Sequence, residues 1–214
     1  MDVNGETVEC VENFVYLGSL IHESCSSVHE IRRRAAMTRQ AMKDLDKNIW
    51  SSRMPLATKL RLYNVCISPV FLYGAETWTV NAVDVKRIDA LDQWCLRRIC
   101  GIRWNDFITN EEVRRRTNQI PLSSKVARRR LMLFGHLMRR DEKSDTSRIL
   151  RTEVDKEWKR PRGRPRSTWI STDANDLKRQ GLDVDFPAIM NLARDRRRWQ
   201  EVVHRATPFE RLAS

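Results

Sequence analysis

The sequence predicts a mainly α fold: a short N-terminal β-hairpin, then a helical bundle, then a small basic helical extension at the C-terminus. Three observations predict it. Apolar residues recur at helical spacing through most of the chain. Pro55, Pro121 and Pro187 stand where helices would open. β-Branched and aromatic residues concentrate in one place, shortly after an Asn-Gly pair. With 214 residues, 41% of them hydrophobic, the chain holds enough apolar side chains for one modest core or two small ones. Trp, Leu, Ile and Val recur throughout and offset the entropy of ordering, which excludes a wholly disordered chain. No stretch approaches the ~18 uncharged apolar residues of a membrane span. The first twelve residues are acidic and have no basic leader, unlike a secretory signal. Five Cys at scattered spacing do not form a disulfide framework and point to a reducing compartment.

The elements follow in order. Val3-Asn4-Gly5-Glu6 reads as a tight turn, because Asn-Gly supplies the two positive-φ positions of a type I′ turn. A strand is expected over about Thr7 to Cys10, and a second over Phe14 to Ile21, with Gly18 marking a bulge or a close backbone approach. Two strands alone are marginal, so this segment calls for a larger sheet. Ser26 or Ser27 is positioned to cap a helix running to about Trp50. Its stripe of Ile31, Ala35, Thr38, Met42, Leu45 and Ile49 is a heptad seam. Pro55 opens a second helix with Leu56, Leu60, Tyr63 and Ile67 on one face, and Pro69 kinks or ends it. Val70 to Trp78 fits either helix or strand.

A third helix spans about Val83 to Cys100, with a stripe of Val85, Ile88, Leu91, Cys95 and Ile99 and a C-cap at Gly101. Thr109 or Asn110, followed by Glu111 and Glu112, starts a short fourth. Pro121 begins a fifth, to about Arg140, in which Val126, Arg130, Leu133 and Leu137 alternate with a basic face. Ser167 to Gln180 is a further short helix, and Pro187 opens the last, with Ile189, Leu192, Trp199 and Val203 inward. The expected organisation is a hairpin over 1–25, a bundle over 26–140, a basic connector over 141–166 and a helical extension over 167–214.

Charge is the first pointer to function. Residues 1–30 hold six acids and no Lys or Arg, while the whole chain carries +12, so the remainder carries +18. A basic body of that size, interleaved with Trp, favours a polyanion, and nucleic acid is the commonest. The sharpest local motif is Lys159-Arg160-Pro161-Arg162-Gly163-Arg164-Pro165-Arg166, five bases in eight residues with no acid. An extended Arg-Gly-Arg-Pro core fits a narrow minor groove and is similar to an AT-hook. The same string also reads as a basic linker on phosphate or as a nuclear localisation signal. Arg114-Arg115-Arg116, Lys125 and Arg128-Arg129-Arg130 form a second cluster; on helices these cannot all face one way, so some are solvated, and one face would track a duplex backbone, the alternative being a merely soluble surface. Trp94, Trp104, Trp158, Trp169 and Trp199 are available for base stacking. The helical spacing of Trp94 and Trp199 makes those two core residues first, and Trp158 lies beside the basic run.

Catalysis and metal binding find little support. Cys95 and Cys100 are five apart, there is no Cys-x₂-Cys or His-x₃₋₅-His, and the four His are scattered, so neither zinc nor any cofactor is expected. No Gly-x-Ser-x-Gly elbow or phosphate-binding glycine loop occurs.

Several strings together resemble one family. Val11-Glu12-Asn13-Phe14-Val15-Tyr16-Leu17-Gly18-Ser19-Leu20-Ile21 resembles the block closing the palm of non-LTR (LINE-type) retrotransposon reverse transcriptases. Leu72-Tyr73-Gly74-Ala75-Glu76-Thr77-Trp78 resembles a segment of their thumb, and Arg129 to Arg140 a following helix. Arg162 to Arg166 with Trp169, then Ala193-Arg194-Asp195-Arg196 with Trp199, resembles their C-terminal tail. The resemblance implies a primer grip at Phe14, Tyr16, Leu17 and Gly18, and a thumb-like bundle that holds a primer–template duplex. Arg128, Arg129, Lys159, Arg160, Arg162, Gly163, Arg164 and Arg166 would contact nucleic acid, a role for the tail that rests on its charge. The family's polymerase site needs Asp residues holding two Mg²⁺ ions, and this chain has no Asp-Asp pair. By itself it is therefore expected not to polymerise DNA. Its expected partners are an RNA–DNA hybrid or duplex DNA and the missing palm and fingers, with no membrane and no small-molecule substrate. The expected location is intracellular, the nucleus ahead of the cytoplasm. The rival readings are a helical interaction module whose Ile31–Ile49 seam pairs with a partner helix, and a transposon relic without a role.

Overall fold

A computed structural model describes residues 2–3, 6–7, 9–141, 143–151, 167–178 and 186–206. The chain is mainly α. Its strands are β1 (Asp2–Val3), β2 (Glu6–Thr7), β3 (Asn13–Tyr16) and β4 (Ser19–His22). The helices begin with α1 (Val28–Asp44), α2 (Leu56–Leu62), α3 (Ser68–Leu72), α4 (Ala82–Ile99) and α5 (Asn110–Thr117). They continue with α6 (Leu122–Met138), α7 (Asp145–Arg151), α8 (Trp169–Lys178), α9 (Phe186–Arg194) and α10 (Arg196–Ala206). The chain divides into two compact units, Met1–Gly74 with Trp78–Thr117, and Ala75–Thr77 with Asn118–Ser214. The division falls after Thr117, inside the bundle expected over 26–140, because the buried row of α6 packs on α8, α9 and α10.

In the first unit β1 and β2 pair antiparallel, Val3 opposite Glu6, as the Asn-Gly turn predicts. The expected single strand from Phe14 to Ile21 is instead a hairpin in itself. β3 and β4 pair Tyr16 with Ser19 across a two-residue turn, in which Leu17 (φ 46°) and Gly18 (φ 79°) are both left-handed. A type I′ turn needs that conformation twice, and here a leucine takes one of the two positions.

Helix α1 ends six residues before the expected Trp50. A π turn over Asp46–Trp50 replaces its last part and brings the Trp50 indole N–H onto the Met42 carbonyl at 2.9 Å. Lys59 then donates to the Trp50 and Ser52 carbonyls at 2.7 and 2.8 Å, closing the turn. Ser27 occupies the N-cap position of α1, but its hydroxyl makes no capping bond there and instead accepts the backbone N–H of Thr79 at 2.9 Å. The seam residues Ile31, Thr38 and Met42 are buried within this unit, where α1 packs on α3 and α4. Half of the seam that the interaction-module reading reserves for a partner helix is thus buried internally, and Ala35, Leu45 and Ile49 are half-buried. Pro69 sits in the first turn of α3, just after a second π turn over Tyr63–Ile67. Proline lacks an N–H and crowds the preceding turn, and widening that turn accommodates it.

Helix α4 is the most regular element. Asn81 accepts the N–H of Val83 and Asp84, Asp84 returns a bond to the Asn81 N–H, and Gly101 ends the helix at φ 69°. Ile88, Leu91, Cys95 and Ile99 are buried as their spacing predicts. So are Asp84 and Asp92, which the apolar pattern did not mark.

The second unit has its core on α6, α8, α9 and α10, built from Leu131, Phe134, Met138, Leu177, Ile189, Ala193, Trp199, Val202 and Val203. Of the stripe expected on α6, Val126 and Arg130 are buried, whereas Leu133 and Leu137 are half-buried. The single last helix expected from Pro187 is two. Asp195 interrupts it, its carboxylate accepting the N–H of Arg197 at 2.9 Å and of Arg198 at 3.1 Å. An Asp that caps a new first turn competes with helix continuation. Part of the connector expected over 141–166 is helical, as α7.

Candidate nucleic-acid interface

The hairpin β3–β4 leaves its apolar side chains in solvent. Phe14 is 57% exposed, Tyr16 58% and Leu17 75%, and Val15 and Ile21 are exposed as well. Its backbone is held firmly. Buried Glu30 on α1 accepts the Leu20 N–H at 3.0 Å and the Arg34 Nε–H at 2.7 Å. Arg34 reaches on to the Gly18 carbonyl, which also accepts from Arg33 at 3.1 Å. The Arg34 guanidinium lies 4.4 Å from the centre of the Tyr73 ring, and the Tyr73 hydroxyl donates to the Leu17 carbonyl at 2.5 Å. Both carbonyls of the turn are therefore bonded. Cation–π contact and a buried ion pair fix the tip, while its side chains stay free for a ligand.

Two strings that were separate in the sequence meet here. Tyr73 and Gly74 lie against Leu17, Gly18 and Ser19, and a Cβ on Gly74 would stand 3.4 Å from the Ser19 hydroxyl. The sequence reading gave Glu30 and Arg34 no role in the site, and marked Tyr73 only as part of the Leu72–Trp78 string. The Glu30–Arg34 spacing of four, an ion-pair spacing on a helix, is the signal that marks two of them.

The second basic cluster is not one surface. Arg114 turns inward and pairs with buried Asp92 at 2.5 Å, and Asp92 also accepts the Tyr63 hydroxyl at 2.6 Å. Burial first, then the Asp92 charge, raises the Tyr63 phenol above its ordinary range. Arg115 and Arg116 converge on Glu112, and their hydrogen bonds pull its carboxyl down to about 2. Lys125 donates to Gln119 at 3.3 Å. Arg128 is half-buried, and Arg129 is exposed with the Glu76 carboxylate 3.9 Å away. Arg130 is 2% exposed and bridges Asp173, at 2.7 Å, and Asp176. Part of the cluster that was expected to be solvated is thus buried ion-pair structure, because each inward arginine meets an acid from a distant helix. Of the two residues named from this cluster for nucleic acid, Arg129 is exposed and Arg128 half-buried.

The basic string Lys159, Arg160, Arg162, Gly163, Arg164 and Arg166, with Trp158, lies outside the described residues. Of the other tryptophans, Trp199 is buried, Trp169 is half-buried with its N–H on the Glu76 carbonyl at 2.8 Å, and Trp94 is half-buried beneath the Arg98 guanidinium. Trp104 alone among these four stands free in solvent, 92% exposed. Among the described residues no group of three or more His, Cys, Asp and Glu is placed to hold a metal ion, and no helix is long and apolar enough to cross a membrane. No family model matches the sequence, and neither the curated proteins nor the solved structures compared with it give a match.

Proposed function

We propose that this chain binds nucleic acid, as the primer-grip, thumb and tail region of a LINE-type reverse transcriptase without its catalytic aspartates. The observation that carries the reading is the hairpin Asn13–His22. It presents Phe14, Tyr16 and Leu17 to solvent on a turn whose two carbonyls are bonded by Arg33, Arg34 and Tyr73. A fixed apolar tip in a chain of net charge +12 suits the end of a strand whose phosphates are neutralised by arginine. On this reading Arg128 and Arg129 supply phosphate contacts from α6, and the 159–166 string adds more.

A fluorescence-anisotropy salt titration of the whole chain tests it. The probes are an RNA–DNA hybrid, an A·T-rich duplex and a G·C-rich duplex, with and without Arg162→Ala plus Arg164→Ala. A slope of log affinity against log salt of about −3 or steeper is expected, with the hybrid bound tightest. An A·T preference lost in the double variant would assign minor-groove reading to the tail. Weak binding, equal on all three probes and indifferent to the substitutions, would overturn the reading.

A further inference from the structure

The loop between α4 and α5 carries the two most exposed aromatic rings among the described residues, Trp104 at 92% and Phe107 at 91%. Its backbone is tied down on both sides. Asp106 accepts the Arg103 N–H at 2.6 Å, closing a 3₁₀ turn over Trp104–Asp106. Arg97 reaches from α4 to the Ile108 carbonyl at 2.6 Å and to the Asn110 side chain at 3.1 Å. Phe107 itself is left-handed, at φ 49°. That conformation is strained for a bulky side chain, whereas Gly or Asn adopts it readily. Two large apolar rings are thus held in water by an ordered loop, one of them in a strained conformation, and neither contributes to a core. Residues 97–116 contain six arginines against three acids; Arg114, Arg115 and Arg116 are paired with Asp92 and Glu112, and Arg103 beside Trp104 is exposed.

We propose that Trp104 and Phe107 form a stacking platform for an unpaired nucleotide of a single-stranded nucleic acid. The proposal rests on the nucleic-acid reading above and gives it a second, distinct contact site. Every base has a π-face, but only an unpaired or terminal base exposes it, so a ring pair of this kind selects single strands over duplex interiors. The exposed Arg103 at the start of the loop attracts the phosphates. A membrane surface is the competing occupant, since exposed Trp and Phe beside arginines also suit an anionic bilayer.

The test uses the full chain with a single-stranded oligonucleotide carrying 2-aminopurine at a central position, and the same sequence as a duplex. Trp104→Ala and Phe107→Asn are compared with the conservative Trp104→Phe; asparagine tolerates the left-handed backbone. Both rings lie in solvent, so the variants are expected to melt with the wild type. Expected is quenching of 2-aminopurine by the wild type and by Trp104→Phe. Trp104→Ala and Phe107→Asn should each lower single-strand affinity about ten-fold, with duplex affinity and its salt slope unchanged. Single-strand affinity unchanged in both variants, with the steep salt slope kept, overturns the platform and leaves the duplex reading standing. No binding by the wild type to either probe overturns both. A blue shift of tryptophan emission on phosphatidylserine vesicles that Trp104→Ala abolishes, without quenching of 2-aminopurine, assigns the site to membrane instead.

Discussion

The indole of Trp199 on α10 lies directly on Gly135 of α6. A Cβ built on that glycine would stand 2.2 Å from the ring, and the indole N–H donates to the Leu131 carbonyl at 2.8 Å. Glycine inside a helix is ordinarily a liability of about 0.5–1 kcal/mol against alanine. Here it is the condition for close packing of the two helices. Gly135→Ala should therefore destabilise, by about 2 kcal/mol or more, where helix propensity alone predicts a gain. Combining it with Trp199→Leu should recover part of the loss. Urea titration of the single and double variants checks both signs, and a stabilised Gly135→Ala would contradict the packing.

The hairpin tip depends on one removable hydroxyl. Tyr73→Phe deletes the hydrogen bond to the Leu17 carbonyl and keeps the ring under the Arg34 guanidinium. The expected cost is about 1 kcal/mol, confined to the hairpin. Amide hydrogen exchange should quicken in β3 and β4 and stay unchanged in α4. Arg34→Met is a harsher change, since it leaves the buried Glu30 carboxylate with only the more exposed Arg33 at 3.2 Å, and should cost about 2–3 kcal/mol. Equal exchange rates in wild type and Tyr73→Phe would show that the tip is held by other contacts.

These two sites also show what was legible in the sequence. Helix α4 was largely legible, because its apolar period and terminal glycine are local signals that agree, though its Asn81 cap and its buried Asp84 and Asp92 were not marked. Trp199 was legible as a core residue from its place in the helical period. Its seat on Gly135 was not, since nothing local pairs residues 64 apart. Arg130 fell on the stripe of α6 by its spacing, whereas Asp92 carried no local signal of burial, and only the long-range partners, Asp173 and Arg114, account for the burial of these charges. At the hairpin Phe14, Tyr16 and Leu17 are exposed, and Gly18, read as a bulge or a close backbone approach, is instead the second residue of a two-residue turn. Leucine is an unusual occupant of a left-handed turn position, and a hydroxyl from Tyr73 helps to keep it there.

The cysteines should separate by reactivity. Cys10, Cys25 and Cys66 are exposed, whereas Cys95 is buried and its thiol is pushed up to about 12, by desolvation first and the Asp92 charge second. Because the thiolate is the reactive form, Cys95 should resist iodoacetamide at pH 8 in the folded chain and react only after denaturation. Half-buried Cys100, also raised by burial, should fall between. Mass-spectrometric mapping of the labelled positions checks the order, and early labelling of Cys95 would place α4 differently.

The Arg130 site should make stability depend on pH in the direction opposite to an ordinary surface carboxylate. One buried guanidinium faces two acids, Asp173 and Asp176, so ionising both leaves a net negative charge in a dry site. Asp173 has one carboxylate oxygen buried without a hydrogen-bond partner among the described residues. Desolvation, opposed by Arg130 and helped by the Asp176 charge, raises its carboxyl from the ordinary 3.8 to about 7. Between those values the folded chain holds a proton that the unfolded chain has released. Raising pH therefore withdraws stability through that window, by at most ~1.4 kcal/mol per pH unit, with no further loss from this group above it. Asp173→Asn imitates the protonated side chain and should flatten this contribution. Urea midpoints of wild type and variant at pH 5 and pH 8 give the comparison. The wild type should lose more stability than the variant on going to pH 8, and equal losses would show that Asp173 is ionised in the fold throughout.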